Sequence, residues 1–329
     1  MNDYHCRKQV FKMVPGKCMD GSWVFFWQHW DNRNRFYNGR RRCFVSLFFI
    51  NKNVYCYHKL RDNFHKKGNV MPINFPDKLE VQLTNPPLEE VVCQIRFPII
   101  LRIAKEEPSD LQERIRNRFP HLEWEQGVRL QIPGPGIKAE PMAEIQPKIY
   151  RFKTSDEETA VSIAPDFYAV TTSNYTHWQE FADALQFAHQ AVLDTYNLPY
   201  ATRIGLRYIN RLTLGNTNSQ TKNELFSLVC SELTAFLQGE VWQDTEAMSS
   251  LLVFSDNRAQ LNYRIKYEQV DGLPNFVLDF DYFEKGKLPL EGLIERCDNY
   301  HQIIYNAFRW SLHDESLERF QPIKDEEQK

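Results

Sequence analysis

The chain has 329 residues, 42% of them hydrophobic and 25% charged, with a formal net charge of −3. This composition excludes a collagen, a disordered tail and a helical membrane protein. No uninterrupted apolar run is long enough to predict a membrane-spanning helix, and Phe44–Ile50 is far too short for one.

The average conceals a boundary. Residues 1–70 hold fourteen Lys or Arg and four Asp, with no Glu, Ala or Thr. Residues 71–329 hold the other twenty-six basic and thirty-nine acidic residues, so the two parts carry about +10 and −13. The first part reads as a spurious or disordered extension, with Met71 as the start of the working protein. It lacks the Glu, Ser and Pro of a typical disordered tail, and it lacks the charged-then-apolar order of a signal peptide. Two other readings attach to it. Arg40-Arg41-Arg42 among aromatics could form a basic arm for nucleic acid. Cys6, Cys18, Cys43, Cys56 and His58 could hold zinc, although no closely spaced cysteine pair occurs.

From Met71 the chain opens with a lead-in closed by Asn85-Pro86-Pro87. Val91–Phe97 is predicted as a strand. Ser109 opens a short helix to Phe119 by a capping box, and Pro120 stops it. Val128–Ile132 reads as a strand, followed by Pro133-Gly134-Pro135-Gly136 and an irregular stretch to Pro147, the longest expected loop. Lys148–Lys153, Thr159–Ile163 and Phe167–Thr172 read as three strands with turns at Asp156-Glu157-Glu158 and Pro165-Asp166. Thr176 opens a second capping box, and Trp178, Phe181, Leu185, Val192 and Tyr196 then form one apolar helical face.

Thr202–Leu214 reads as a strand. A third capping box at Thr221 opens a helix through Leu225, Val229, Leu233 and Phe236. Ser249–Phe254, Gln260–Tyr267 and Asn275–Phe283 read as strands, with turns at Ser255-Asp256-Asn257 and Asp271-Gly272. A last helix is predicted from Pro289 to Leu312, burying Leu290, Ile294, Cys297, Ile304 and Phe308. The tail from Lys324 is charged. Cys93, Cys230 and Cys297 read as buried free thiols of a reducing, cytoplasmic protein.

Strand, helix, several strands and long helix occur twice in that order. The expected fold is therefore α+β, made of two topologically similar repeats, 71–199 and 200–316, and a charged tail, 317–329. Each repeat would be an antiparallel sheet covered by its long helix. The same order occurs in saddle-shaped TATA-binding-protein-like and helix-grip folds, a likeness of architecture alone.

Asn85-Pro86-Pro87-Leu88-Glu89-Glu90-Val91-Val92 and Arg203-Ile204-Gly205-Leu206-Arg207-Tyr208-Ile209-Asn210-Arg211 resemble two signature stretches of a sporadically distributed, uncharacterised bacterial protein family of about 260 residues. Asn174-Tyr175 through Trp178 and Phe181, and Phe276–Tyr282, resemble it too, so the likeness spans about Leu83 to Leu312. The family has no established activity. The resemblance implies a bacterial, cytoplasmic, patchily inherited protein, with mobile-element or defence cargo as one expectation.

Few side chains suggest chemistry. On a strand, Arg203, Gly205, Arg207, Ile209 and Arg211 share one face. The three guanidiniums could bind carboxylates or phosphates, with Gly205 admitting a ligand or a neighbouring backbone. The same residues could instead pair with acids on neighbouring strands. Asp279 and Asp281 share a strand face and, with Glu284 or Glu268, could hold Mg²⁺ for a phosphodiester-acting enzyme, or could be the partners of the arginines. His121, His177, His189, His301 and His313 show no metal-ligand spacing, and His177 reads as a surface residue. No phosphate loop or nucleophile elbow occurs, Cys93 lies inside a strand, and no cofactor is implied. Tyr and Phe interleave with Arg along the strands, as in sheets that stack bases, but half-buried strands favour aromatics anyway. The expected function is a non-enzymatic binding or interaction protein, presenting Arg203, Arg207 and Arg211 to an anionic ligand or a protein partner. The alternatives are a metal-dependent enzyme using Asp279 and Asp281, and a nucleic-acid-binding protein, against which the acidic core counts.

Overall fold

The computed structural model describes residues 11–17, 23–29, 44–50, 53–59, 73, 75–126, 128–131, 142–145, 147–235, 245–256 and 258–323. Arg40-Arg41-Arg42, Pro133–Gly136, Phe236, Asn257 and 324–329 lie outside these residues, as do the side chains of the zinc candidates. The chain divides into two compact units, Met1–Lys66 and Lys67–Lys329. The described backbone of the first unit forms two antiparallel hairpins, β1 (Phe11–Lys17) with β2 (Trp23–His29), and β3 (Phe44–Ile50) with β4 (Asn53–Lys59).

The second unit is α+β, with helices on a nine-stranded antiparallel sheet. Its first strand is β5 (Leu88–Arg96), followed by α1 (Leu101–Lys105), α2 (Ser109–Ile115) and β6 (His121–Glu125). A hairpin of β7 (Val128–Gln131) and β8 (Met142–Ile145) comes next. β9 (Ile149–Lys153), β10 (Thr159–Ala164), β11 (Phe167–Thr172) and α3 (Trp178–Tyr196) follow. After them come β12 (Ala201–Thr213) and the short helices α4 (Leu214–Thr217), α5 (Lys222–Ser227) and α6 (Ser231–Thr234). β13 (Ala247–Ser255), β14 (Ala259–Val270), β15 (Leu273–Leu288), α7 (Leu293–Ser311) and a 3-10 turn, Asp314–Phe320, complete the unit.

The sheet order is β13-β14-β15-β12-β5-β11-β10-β9-β6. Outward from the central β12–β5 pair, each side runs from its first strand in sequence to its last and then backwards through the others. Strand alternation decides what each face buries. Val91, Cys93 and Ile95 of β5, Ile204, Leu206 and Tyr208 of β12, and Leu278 and Phe280 of β15 are buried on the face that carries α3 and α7. Phe181, Leu185 and Val192 of α3, and Cys297, Ile304 and Phe308 of α7, join the same core, as the helical periodicity predicts. Cys93 and Cys297 meet there with sulfurs 3.8 Å apart, and both are free thiols, like Cys230.

Several boundaries differ from expectation, each because a tertiary partner overrides a local signal. The helix from Ser109 starts after Pro108 without a side-chain cap, and α3 likewise starts after His177 without one. The third capping box forms by half: Thr221 accepts from the Glu224 amide at 3.2 Å, while the Glu224 carboxylate accepts from Gln220 N at 2.8 Å. The expected continuous helix beyond it breaks at Leu228–Cys230, because this segment bridges the end of α7, with Cys230 N donating to Ser311 O at 2.8 Å. Pro289 is not in the first turn of the last helix. β15 runs on to Leu288 opposite Ala201, and Gly292, at φ +67°, then starts α7 in a conformation glycine adopts at little cost. Part of the expected irregular loop is strand β8. The turn at Asp271-Gly272 has positive φ at both residues, the two-residue hairpin geometry that this dipeptide favours.

Phe280 is fully buried and stacks on Tyr263 with centroids 4.3 Å apart. Phe280→Ala is expected to cost about 3–5 kcal/mol through lost burial and the cavity left behind. A lower urea midpoint at unchanged slope would register this.

Candidate functional site

The face of the sheet turned away from α3 and α7 carries the arginines singled out by sequence. β12 places Arg203, Arg207 and Arg211 there, and β15 places Asp279 and Asp281 beside them. Arg207 donates to both oxygens of Asp279, at 2.7 and 2.8 Å, and Arg264 of β14 reaches the same carboxylate at 3.3 Å. Arg203 donates to Asp281 at 2.6 Å and lies over the Phe283 ring at 4.4 Å. Arg211 bridges Glu89 at 3.0 Å and Glu268 at 3.2 Å, and Lys266 also pairs with Glu268. The pairing is diagonal. Arg207 stands opposite Asp281 in the ladder but takes Asp279, two residues along, which leaves Asp281 to Arg203.

The arginines and aspartates that sequence analysis set apart therefore lie in three neighbouring ion-pair groups on one face, around Asp281, Asp279 and Glu268. Asp279 is 8% exposed while Arg207 and Arg264 above it are 41% and 40% exposed, so this carboxylate lies beneath its two guanidiniums. The Asp279 carboxylate holds the Arg207 proton more tightly than usual, although burial opposes this. A divalent cation at Asp279 and Asp281 would have to displace three guanidiniums. Of the suggested third acids, Glu284 pairs with Arg296 at 3.0 Å and Glu268 with Arg211. Among the described residues no group of three or more His, Cys, Asp or Glu is disposed to hold a metal. Gly205, expected to admit a ligand or a neighbouring backbone, instead has the Arg203 guanidinium over it. A Cβ there would lie 2.4 Å from Nη1 of Arg203, so the glycine makes room for a side chain of its own strand.

A second constellation lies on the helix side of the sheet, where residues 75–84 cross α7 as an extended strap. Phe75 packs between Phe254 and Trp310. Lys78 N donates to Asn306 Oδ1 at 3.0 Å, Val81 N donates to the Tyr305 hydroxyl at 2.9 Å, and that hydroxyl donates to Leu79 O at 3.0 Å. Thr84 N and Asn85 N then donate to Gln321 O and Phe320 O, tying the strap to the 3-10 turn. The strap thereby sets Glu80 against His301, with Oε1 3.2 Å from Nε2. The other ring nitrogen of His301 lies 2.7 Å from the Tyr208 hydroxyl, and the imidazole stacks on Trp178 with centroids 4.7 Å apart. Trp178 is held in turn by Asp298, at 2.6 Å from the indole nitrogen.

Glu80, His301 and Tyr208 border a cleft of about 60 Å³. Tyr175 and Asn210 also line it, and Pro86, Pro87 and Phe308 supply apolar wall. By its geometry the Tyr175 hydroxyl is buried without a hydrogen-bond partner, although the Tyr208 hydroxyl lies near enough to lower its pKa. Burial raises the pKa of both Tyr175 and Tyr208 and keeps their phenols protonated. Sequence reasoning missed this cluster. His301 and Tyr305 look like the solvated side of a helix until the strap covers them, and twelve-residue histidine spacing carries no signal. His177, read as a surface residue, is partly exposed beside Glu180.

Comparison with known proteins finds no matching family model, no matching curated protein and no matching solved structure. Among the described residues no helix is long and apolar enough to cross a membrane.

The hydrogen bond to His301 holds the Glu80 carboxyl below its usual value of 4.5, against the effect of burial. A lowered folded-state pKa contributes stability that is fully present above the unfolded value and lost as pH falls through the folded one. Glu80→Gln is therefore expected to destabilise the chain at neutral pH. The gap between variant and wild type should close as pH falls below about 4.5, read from thermal unfolding across a pH series.

Proposed function

We propose that the chain is a non-catalytic binding protein whose open sheet face docks a protein partner. One observation carries this reading: Arg207 and Arg264 are oriented from below by a buried carboxylate and keep their outer edges towards solvent. A guanidinium held in this way loses less side-chain freedom on association, and arginine is enriched among residues that dominate interfaces. The face is close to charge-balanced, because Arg203, Arg207, Arg211, Arg264 and Lys266 are matched by Asp279, Asp281, Glu89 and Glu268. This balance favours a protein surface of mixed charge over a nucleic-acid backbone or a free polyanion, which bind clustered positive charge. It also disfavours the metal-dependent phosphodiester reading, since the aspartates already neutralise arginines.

The internal duplication belongs to the same proposal. The mirrored strand order on the two sides of the β5–β12 pair, and a long helix after the last strand of each side, support it. In this reading the docking face straddles the junction of two similar halves. The stretches that resemble the bacterial family also meet in space: Pro86 and Pro87, Tyr175, and Tyr208 and Asn210 border one cleft.

The test is capture of partners by the tagged full chain and by Arg207→Ala and Arg264→Ala variants, with circular dichroism to verify folding. A stoichiometric protein complex that resists nuclease and loses on the order of 30-fold in affinity in each variant is expected, about 2 kcal/mol per anchor. Capture that is nuclease-sensitive or indifferent to both substitutions would refute the docking face. Calorimetry with Mg²⁺ and Mn²⁺ is expected to show no binding, and saturable heat abolished by Asp279→Asn would restore the metal reading.

A further inference from the structure

The strap, β12 and α7 bring together a set of groups that structural duty does not fully explain. His189 of α3 supplies the contrast. It too bonds a sheet tyrosine, Tyr168, and its other nitrogen meets Leu290 O at 3.1 Å, so a buried imidazole is fully used in joining helix, strand and loop. Both histidines border a cleft, but His301 joins Tyr208 to a carboxylate instead of a backbone carbonyl. Beside it stands Tyr175, whose ring is 5.7 Å from that of Tyr208 and whose hydroxyl is buried without a partner. A buried hydroxyl left unsatisfied costs about 1–3 kcal/mol. An acceptor brought to it would recover that cost.

We propose that this cleft binds a small molecule with an apolar body and a carbonyl or carboxylate oxygen as its head, the oxygen accepting from the Tyr175 hydroxyl. The walls fit the body: Pro86, Pro87, Leu88 and Phe308 are rigid or apolar. The Tyr208 hydroxyl, 2.7 Å from Nδ1 of His301, stands beside Tyr175 as a second polar group on the cleft border, with Glu80 on the far side of the imidazole. Glu80, Val81 and Gln82 of the strap also line a larger groove of about 860 Å³ beside Trp178, which offers space to a longer body. The site lies on the helix side of the sheet, so it is independent of the docking face proposed above.

Fluorine NMR of the full chain with 4-fluoroacetophenone, 4-fluorobenzoate and 4-fluorotoluene tests the assignment. The first two carry the acceptor oxygen and the third does not. Saturable broadening of at least one acceptor-bearing probe is expected, with 4-fluorotoluene binding at least tenfold more weakly. Tyr175→Phe removes a hydroxyl that makes no well-formed hydrogen bond in the protein, so it should fold with a melting temperature close to that of wild type. It should nevertheless weaken the bound probe about tenfold or more, as expected for one lost hydrogen bond of this kind. Tyr208→Phe should weaken it as well. No broadening by either acceptor-bearing probe in wild type, equal binding of 4-fluorotoluene, or probe affinity unaltered by Tyr175→Phe would each overturn the proposal. The last outcome would leave Tyr175 as packing alone.

Discussion

The antiparallel ladder between β5 and β12 joins two runs of strands into a single sheet, so one face must be buried along nine strands at once. A sheet with water on both faces would leave Val91, Cys93, Ile95, Ile204 and Leu206 uncovered, and these residues are wholly buried. α3 and α7 supply the cover. Because they lie on the same side and touch each other, the opposite side is free to be polar. The separation of roles follows from this one pairing: apolar packing and the cleft on one side, the ion-pair groups on the other.

The ion-pair groups show how a polar face can be ordered without becoming a core. Asp279 is buried, and that would be costly for a lone carboxylate. Two guanidiniums satisfy it, and their outer edges stay wet. The worth of such pairing is mainly geometric, since exposed ion pairs add little to stability. Pairing that fixes rotamers before a partner arrives serves association better than it serves folding, and this is why the binding reading rests on it.

Much of the fold was legible because strand alternation and helical periodicity are strong over long segments. β11 has the predicted bounds, β12 and β14 differ mainly at their ends, and the apolar stripes of α3 and α7 bury as read. The legible part of the open face was the shared side of Arg203, Arg207 and Arg211, and of Asp279 and Asp281. Sequence could state that arginine–aspartate pairing was one option. The diagonal register that joins Arg207 to Asp279 needed the strand pairing itself. β6 escaped notice because it is five residues long on a sheet edge, where Leu122 and Trp124 stay exposed and give no burial pattern. The Glu80–His301–Tyr208 chain was invisible for a different reason. Its members are separated by more than 90 residues at each step, and no local rule links an extended lead-in to the outer side of the last helix.

The strap has a mechanical side. Leu83 bridges Pro322, and Ile323 N donates to Gln82 O, so the entry to this unit is zipped to its exit. Glu80 stands two residues from that zipper and has no strand of its own to fix it. Tension on residues 320–323 is thus passed to the strap that forms one wall of the cleft.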